Sequence, residues 1–167
     1  MPVNGKPRVG CHVSVQTLPI IDPIIRARAD QADWILWGEV PTHLAALATE
    51  VYSRDIGSSP EVLSGLCLNI VLHPASDDPK RADRLAPLRH GACGHAIISN
   101  DRQARYAQWP MSHVDNLPAQ WLKALDHYLE TPERVQSSGQ RLRERTHSFG
   151  FMDAEYRALC LMAWAPA

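Results

Sequence analysis

The sequence predicts an α/β fold: a single doubly wound, mostly parallel sheet flanked by helices, with a helical C-terminal third. Three observations carry that prediction. Asp33-Trp34-Ile35-Leu36-Trp37-Gly38 is a nearly continuous apolar run, as expected of a strand buried on both faces of a parallel sheet. Short β-prone runs alternate along the chain with segments of helical periodicity, which is the order of βαβ units. Asp22-Pro23 and Ser59-Pro60-Glu61 are helix starts of the N-cap and proline-N1 kind, set between those β-prone runs.

Pro7 to Ser14 is the first strand, and Leu18 to Asp30 carries Ile21, Ile24, Ile25 and Ala29 on one helical face. Pro23 interrupts that segment, so the helix is expected to begin near Asp22, with Asp as N-cap and proline at N1. Asp33 to Gly38 is the second strand. A helix opens at Pro41-Thr42 and runs through Leu44, Leu47 and Ala48, and Val51 to Ile56 is a third strand. After a helix with Val62, Leu63 and Leu66 on its apolar face, Asn69 to His73 is the fourth strand. The polar stretch from Ser76 to Arg89 contains Pro79 and Pro87 and reads as a loop, then a short helix from near Pro87. Gly91 and Gly94 end that helix, Ala96 to Ser99 is the fifth strand, and a short sixth is expected around Arg105 to Gln108. Trp121, Leu125 and Tyr128 then recur at helical spacing, Thr131-Pro132-Glu133 restarts a second helix, and a last one begins near Asp153.

Composition narrows the function classes. The 167 residues suffice for one domain, here residues 1–167, large enough to hold a core without metal or disulfides. Seventeen Lys and Arg balance eighteen Asp and Glu for a net charge of -1, which disfavours a nucleic-acid binder. No apolar stretch is long enough to span a membrane, and Met1 to Val9 lacks the apolar core of a signal peptide. Cys11, Cys67, Cys93 and Cys160 are far apart with no CxxC pair, so reduced thiols and a cytoplasmic location are expected.

Within this pattern, Asn69-Ile70-Val71-Leu72-His73-Pro74, the Asp77-Asp78-Pro79 loop and the run from Arg89 through Gly91-Ala92-Cys93-Gly94 to Ser99 resemble the donor half of group 1 glycosyltransferases. These are two-domain enzymes of the GT-B architecture, in which a C-terminal Rossmann-like domain holds the nucleotide-sugar. Asp115 through Trp121 and Leu125, followed by Pro132-Glu133 and a basic helix, resembles the way that domain closes. Arg8-Val9-Gly10 and Trp34 to Gly38 stand where its first two strands would, so the resemblance covers nearly the whole chain. It implies a stand-alone donor domain without its acceptor half, a nucleotide or nucleotide-sugar as ligand, and no cofactor.

The departures from the family pattern lie at its ligand positions. The glycines and small residues after the first strand are replaced by His12-Val13-Ser14-Val15-Gln16, and β-branched residues hold backbone away from phosphate. Arg89 stands at the family's ribose-gripping Glu, Ala82 and Asp83 near its Lys-Ser pair, and Ala96 at a family proline. These changes imply degenerate ligand motifs and leave open whether the chain transfers sugar or serves as a non-catalytic module for a partner protein or homodimer.

The residues expected to contact nucleotide phosphate are Lys80, Arg81, Arg84, Arg89, Gly91, Gly94 and Ser14. From Asp78 to Arg105 six basic and three acidic residues leave a local +3 near the C-terminal edge of the sheet, where open α/β sheets bind ligands. The same cluster also reads as a solvated basic loop. His90-x-x-Cys93-x-His95 has metal-donor types but no second cluster, so no metal site is expected. Cys93 lies on a helix-to-strand turn, the reverse of a nucleophile elbow, and reads as a small buried thiol. Trp34, Trp37, Trp121 and Trp164 read as core, and Trp109, before Pro110, as an exposed stacking surface. Arg134, Arg141, Arg143 and Arg145 read as a solvated helix face. Asp77, Asp78 and Asp83 read as caps and ion partners, and no carboxylate pair is assigned to acid–base work.

Overall fold

A computed structural model describes residues 5–53, 62–63, 65–73, 86–100 and 107–152, with side chains to residue 148. Six strands, β1 (Arg8–Val13), β2 (Asp33–Gly38), β3 (Glu50–Tyr52), β4 (Leu68–Val71), β5 (Ala96–Ser99) and β6 (Ser112–His113), form one sheet in the order β3-β2-β1-β4-β5-β6. Every pairing is parallel. Among the described residues the helices with both ends defined are α1 (Leu18–Ala27), α2 (Thr42–Ala45), α3 (Ala86–Ala92), α4 (Pro118–Leu129) and α5 (Pro132–Met152). This is the doubly wound, Rossmann-like arrangement, with the strand order reversing between β1 and β4.

Alternation in the strands builds the two faces of the sheet. Val9, Cys11 and Val13 of β1 and Trp34 and Leu36 of β2 meet Ile21, Ile24 and Ile25 of α1 and Trp121, Leu125 and Tyr128 of α4 in the main core. On the opposite face the apolar surface is in two pieces. Ile35 and Trp37 pack with Leu63 and Leu66, while Val71 and Ile97 pack with Leu88, Trp109, Met111 and Leu142. Asn69, His90 and His95, all buried, are polar groups on this divided side. Gly10 packs closely there: a Cβ would lie 2.7 Å from both Asn69 Oδ1 and Leu66 Cδ1, and those side chains would have to shift.

Four local expectations are corrected. Helix α1 begins at Leu18, one turn before Asp22, with Pro19 in its first turn and Pro23 inside it. The Pro23 ring removes one helical hydrogen bond, but Ile21, Ile24 and Ile25 are each fully buried, and that burial outweighs the lost bond. Helix α2 stops at Ala45, leaving Leu47 exposed. A sixth strand lies at Ser112–His113, placed by pairing Ile98↔Ser112 and Ser99↔His113; of the strand expected around Arg105 to Gln108, residues 105–106 lie outside the described residues and 107–108 are in a turn. Trp109 is 3% exposed and belongs to the core against Leu88 and Leu142, so it is no stacking surface. Trp34, Trp37 and Trp121 are core as expected; Trp164 and the helix expected from Asp153 lie outside the described residues.

Arg28, just past α1, grips Asp126 of α4 with two parallel hydrogen bonds, the Nη2–Oδ2 one 2.8 Å long. Both side chains retain about a quarter of their exposure, so solvent screens the pair. Asp126→Asn is therefore expected to lower stability by at most about 1 kcal/mol, in a salt-dependent way, by urea unfolding at low and high ionic strength. Among the described residues no helix is long and apolar enough to cross a membrane.

Candidate functional site

Because all six strands are parallel, their C-terminal ends share one edge, and the crevice between β1 and β4 is the place where such folds hold ligands. Register brings a row of side chains to this edge on the divided face. His12 pairs with Trp37, Val71 with Ser99, and Ser99 with His113. His12 and His113 are exposed and Ser99 is fully buried. The His12 ring stands 6.4 Å from that of Trp37.

Asn100, the first residue after β5, fixes how the chain leaves β4. Its Oδ1 accepts the His73 backbone N–H at 2.7 Å, and its Nδ2 donates to the His73 carbonyl at 2.6 Å. The same amide donates to Asn116 Oδ1 at 2.7 Å, tying β4, β5 and the approach to α4 together. This side chain acts as an extra rung of the ladder at the point where residues 74–85 depart. Sequence reasoning placed His12 after the first strand at a ligand position but missed His73, Asn100, His113 and Asn116 as edge residues. A signal for several of them existed: the first polar residue after a buried parallel strand lies at the C-terminal edge, as in Ile97-Ile98-Ser99-Asn100.

Ser14 is at the same edge, at the end of β1, but its turn is closed upon itself. The Ser14 N–H donates to Thr17 Oγ1 at 2.9 Å. The Ser14 carbonyl accepts the N–H groups of both Thr17 and Leu18, at 3.1 and 2.9 Å. Pro19 has no N–H, and the Ile20 amide donates to the Thr17 carbonyl. The amides that a helix N-terminus can offer to phosphate are thus taken up locally from Thr17 through Ile20. The turn instead displays Val15, 69% exposed.

The other expected phosphate contacts divide. Lys80, Arg81 and Arg84 lie outside the described residues, as do Asp77, Asp78 and Asp83. Arg89 is half-buried on α3. Gly91 and Gly94 face α5: a Cβ on Gly91 would meet Thr146 Oγ1, and the Gly94 carbonyl fills the space beside Gly139. Gly94 precedes β5, so it lies at the N-terminal edge, about 13 Å of strand away from the edge carrying Ser14. The structure does not bring those two residues together.

At that far edge a cleft of about 500 Å³ runs between the α3–β5 turn and α5, lined by Cys93, Glu133, Gln136, Gln140 and Arg143 among others. Cys93 is exposed rather than buried, which corrects the sequence expectation: the turn at Gly94, with φ of 80°, carries the preceding residue outward. Desolvation still raises the Cys93 pKa against the opposing pull of Arg143, so the thiol is not an activated nucleophile. Cys11, Cys67 and Cys93 are all free thiols. Arg134, Arg141, Arg143 and Arg145 are exposed on α5, as a solvated face requires.

His90 and His95 are buried against each other, with their Nδ1 atoms 3.2 Å apart. The His95 Nε2 lies 2.7 Å from the Leu63 carbonyl and donates to it, which leaves Nδ1 of His95 as an acceptor for the His90 N–H. Burial pushes His90 down to about 3, helped by the proximity of His95 and Arg89, and pushes His95 down to about 4. Both are neutral and satisfy each other. Among the described residues no group of three or more His, Cys, Asp or Glu could hold a metal ion.

No protein-family model matches the chain, and no curated protein matches it by sequence. Solved structures do. The chain is similar to WaaG, a glycosyltransferase involved in lipopolysaccharide biosynthesis, at 15% identity and a TM-score of 0.62, covering 98% of this chain and 49% of that one. It also aligns with AviGT4, a glycosyltransferase involved in avilamycin A biosynthesis, at 12% identity and a TM-score of 0.48, over 96% of this chain and 52% of that one. The likeness to WaaG shows a glycosyltransferase-like fold, and the chain spans about half the length of each of these two proteins.

Proposed function

We propose that the chain is a glycosyltransferase-like unit that binds a nucleotide or nucleotide-sugar at the crevice between β1 and β4, and that any sugar transfer depends on a second domain or partner protein. The observation that carries this reading is the Asn100 clamp. It anchors the departure of residues 74–85, which hold Lys80, Arg81 and Arg84, at the strand-order reversal of a glycosyltransferase-like sheet. With the Thr17 to Ile20 amides consumed, phosphate charge is met by the side chains of Lys80, Arg81, Arg84 and Arg89. Transfer also needs an acceptor hydroxyl held in line, and the likeness to enzymes twice this length supports a separate body for that task.

A second reading, a non-catalytic module for a partner protein or a homodimer, is favoured by one observation. The self-closed Ser14–Thr17 turn removes the phosphate cradle and leaves exposed Val15, with Leu117, 56% exposed, beyond β6.

A thermal-shift panel of UDP, GDP, CMP and their sugars separates the two. A ligand at about 100 times its Kd stabilises by about 2.7 kcal/mol, or about 5–10 °C for a chain of this size. A shift restricted to one nucleotide family is the expected result. A flat panel on folded protein would reject the nucleotide reading and leave the interaction module.

A further inference from the structure

Beside the β1–α1 turn, on the α1 side of the sheet and away from His12, lies an open cleft of about 300 Å³. That volume is at the small end of the range for sites that take small molecules. One wall is apolar and comes from Val15, Leu18, Pro19 and Pro23. Two features already described create it. Closure of the Ser14–Thr17 turn throws Val15 outward, and the two prolines, four residues apart on α1, form a rigid ridge beside it.

The other wall is an ordered polar cluster. Asp22 Oδ1 accepts a hydrogen bond from Arg26 Nε at 3.0 Å and another from His43 Nε2 at 2.7 Å. Partial burial alone would raise the Asp22 pKa, but these two hydrogen bonds outweigh it and hold the carboxyl below its usual range. Since Asp22 is ionised, His43 donates through Nε2, and in the neutral ring Nδ1 is an acceptor. Among the described residues, Asp22 Oδ2, His43 Nδ1 and the terminal nitrogens of Arg26 make no further hydrogen bond. The cleft therefore presents a carboxylate acceptor, a guanidinium donor and an imidazole nitrogen beside an apolar wall.

Charge selects the ligand class. Asp22 and Arg26 compensate one another, so an anion would meet the carboxylate and a cation the guanidinium. A neutral molecule with adjacent hydroxyls suits both, because a hydroxyl donates to one group and accepts from the other. We propose that this cleft is a binding site for a neutral sugar ring. The C–H face of a pyranose rests on Val15, Leu18, Pro19 and Pro23, and its hydroxyls bridge Asp22, His43 and Arg26. The site is distinct from the β1–β4 crevice and does not depend on nucleotide binding there.

The test is an amide NMR titration of the full chain with methyl α-D-glucopyranoside, methyl α-D-galactopyranoside and methyl α-D-mannopyranoside, with benzoate and benzylamine as charged ring controls. Expected is saturable binding of at least one glycoside, with shifts confined to residues 15–26 and 43. Asp22→Ala removes a charged acceptor and should weaken that binding by about tenfold or more. Alanine's helix propensity offsets part of the two lost partially exposed pairs, so this variant should remain folded. Val15→Asp, on a side chain that contributes nothing to the core, should also weaken it by placing a carboxylate on the apolar wall. Absence of saturable binding to all three glycosides overturns the proposal. So does tighter binding of benzoate or benzylamine, or glycoside binding that both variants leave unchanged.

Discussion

Gly139→Ala should destabilise the protein by at least about 2 kcal/mol, read as a fall in the urea midpoint. A Cβ at this position would overlap the Gly94 carbonyl oxygen and lie 2.9 Å from its carbon and 3.3 Å from the Ala96 nitrogen. All three are backbone atoms of the α3–β5 turn, so no rotamer change relieves the overlap and α5 must move off the sheet. Overpacking of this kind costs about 1–3 kcal/mol or more, and the overlap here is severe. Alanine recovers about 1 kcal/mol of helix propensity, which is too little to reverse the sign. Gly91→Ala is expected to cost less, because its contacts, Thr146 Oγ1 and Leu142 Cγ, belong to side chains that can shift. A Gly139→Ala chain as stable as the parent, or more so, would mean that α5 does not seat on this turn.

Acid should destabilise the fold well before its carboxylates titrate. His90 and His95 are held at about 3 and 4, below the ordinary histidine value of about 6.5. The unfolded chain therefore takes up two protons that the folded chain refuses between about pH 6.5 and pH 4. Stability from the pair is fully present above about pH 6.5 and is lost as the pH falls toward the folded values. The slope approaches about 2.7 kcal/mol per pH unit for two sites. Asp22 and Glu50, whose pKa values are lowered in the fold, add their own loss only below their unfolded values of about 4. Urea unfolding from pH 7.5 to pH 5 isolates the histidines, and His90→Gln should show about half the parent slope. A stability flat over that range would show that the pair is solvated and titrates normally.

Several parts of this structure were legible from residue order. The run Asp33 to Gly38 forms β2 with the expected bounds, because continuous apolar character admits few alternatives to a doubly covered strand. Trp121, Leu125 and Tyr128 are the buried face of α4, as their spacing requires. Ala96 to Ser99 is β5 for the same reason as β2. The errors fall where local signals compete with packing. Pro23 argued for a helix start, yet three fully buried isoleucines carry α1 through it. The Trp109-Pro110 pair has the composition of an exposed loop, but Trp109 is covered by elements distant in sequence.

The candidate site was less legible than the fold. Its basic residues were visible as composition, whereas the Asn100 clamp joins positions 27 and 16 residues apart and has no sequence period. Likewise Asp22 and His43, 21 residues apart, meet only because α1 and α2 start at the same edge of the sheet. Ser14 looked available to phosphate in sequence, and only the hydrogen bonds to Thr17 show its turn closed. The sequence alone therefore determined the alternation of strands and helices, the buried faces and the parallel sheet, since burial of apolar side chains obeys the periods of the backbone itself. Tertiary structure decided the strand order, the neutral His90–His95 pair, the exposure of Cys93 and the contents of each cleft. Those depend on distances between segments, which hydrogen bonding and desolvation fix only after the chain has closed.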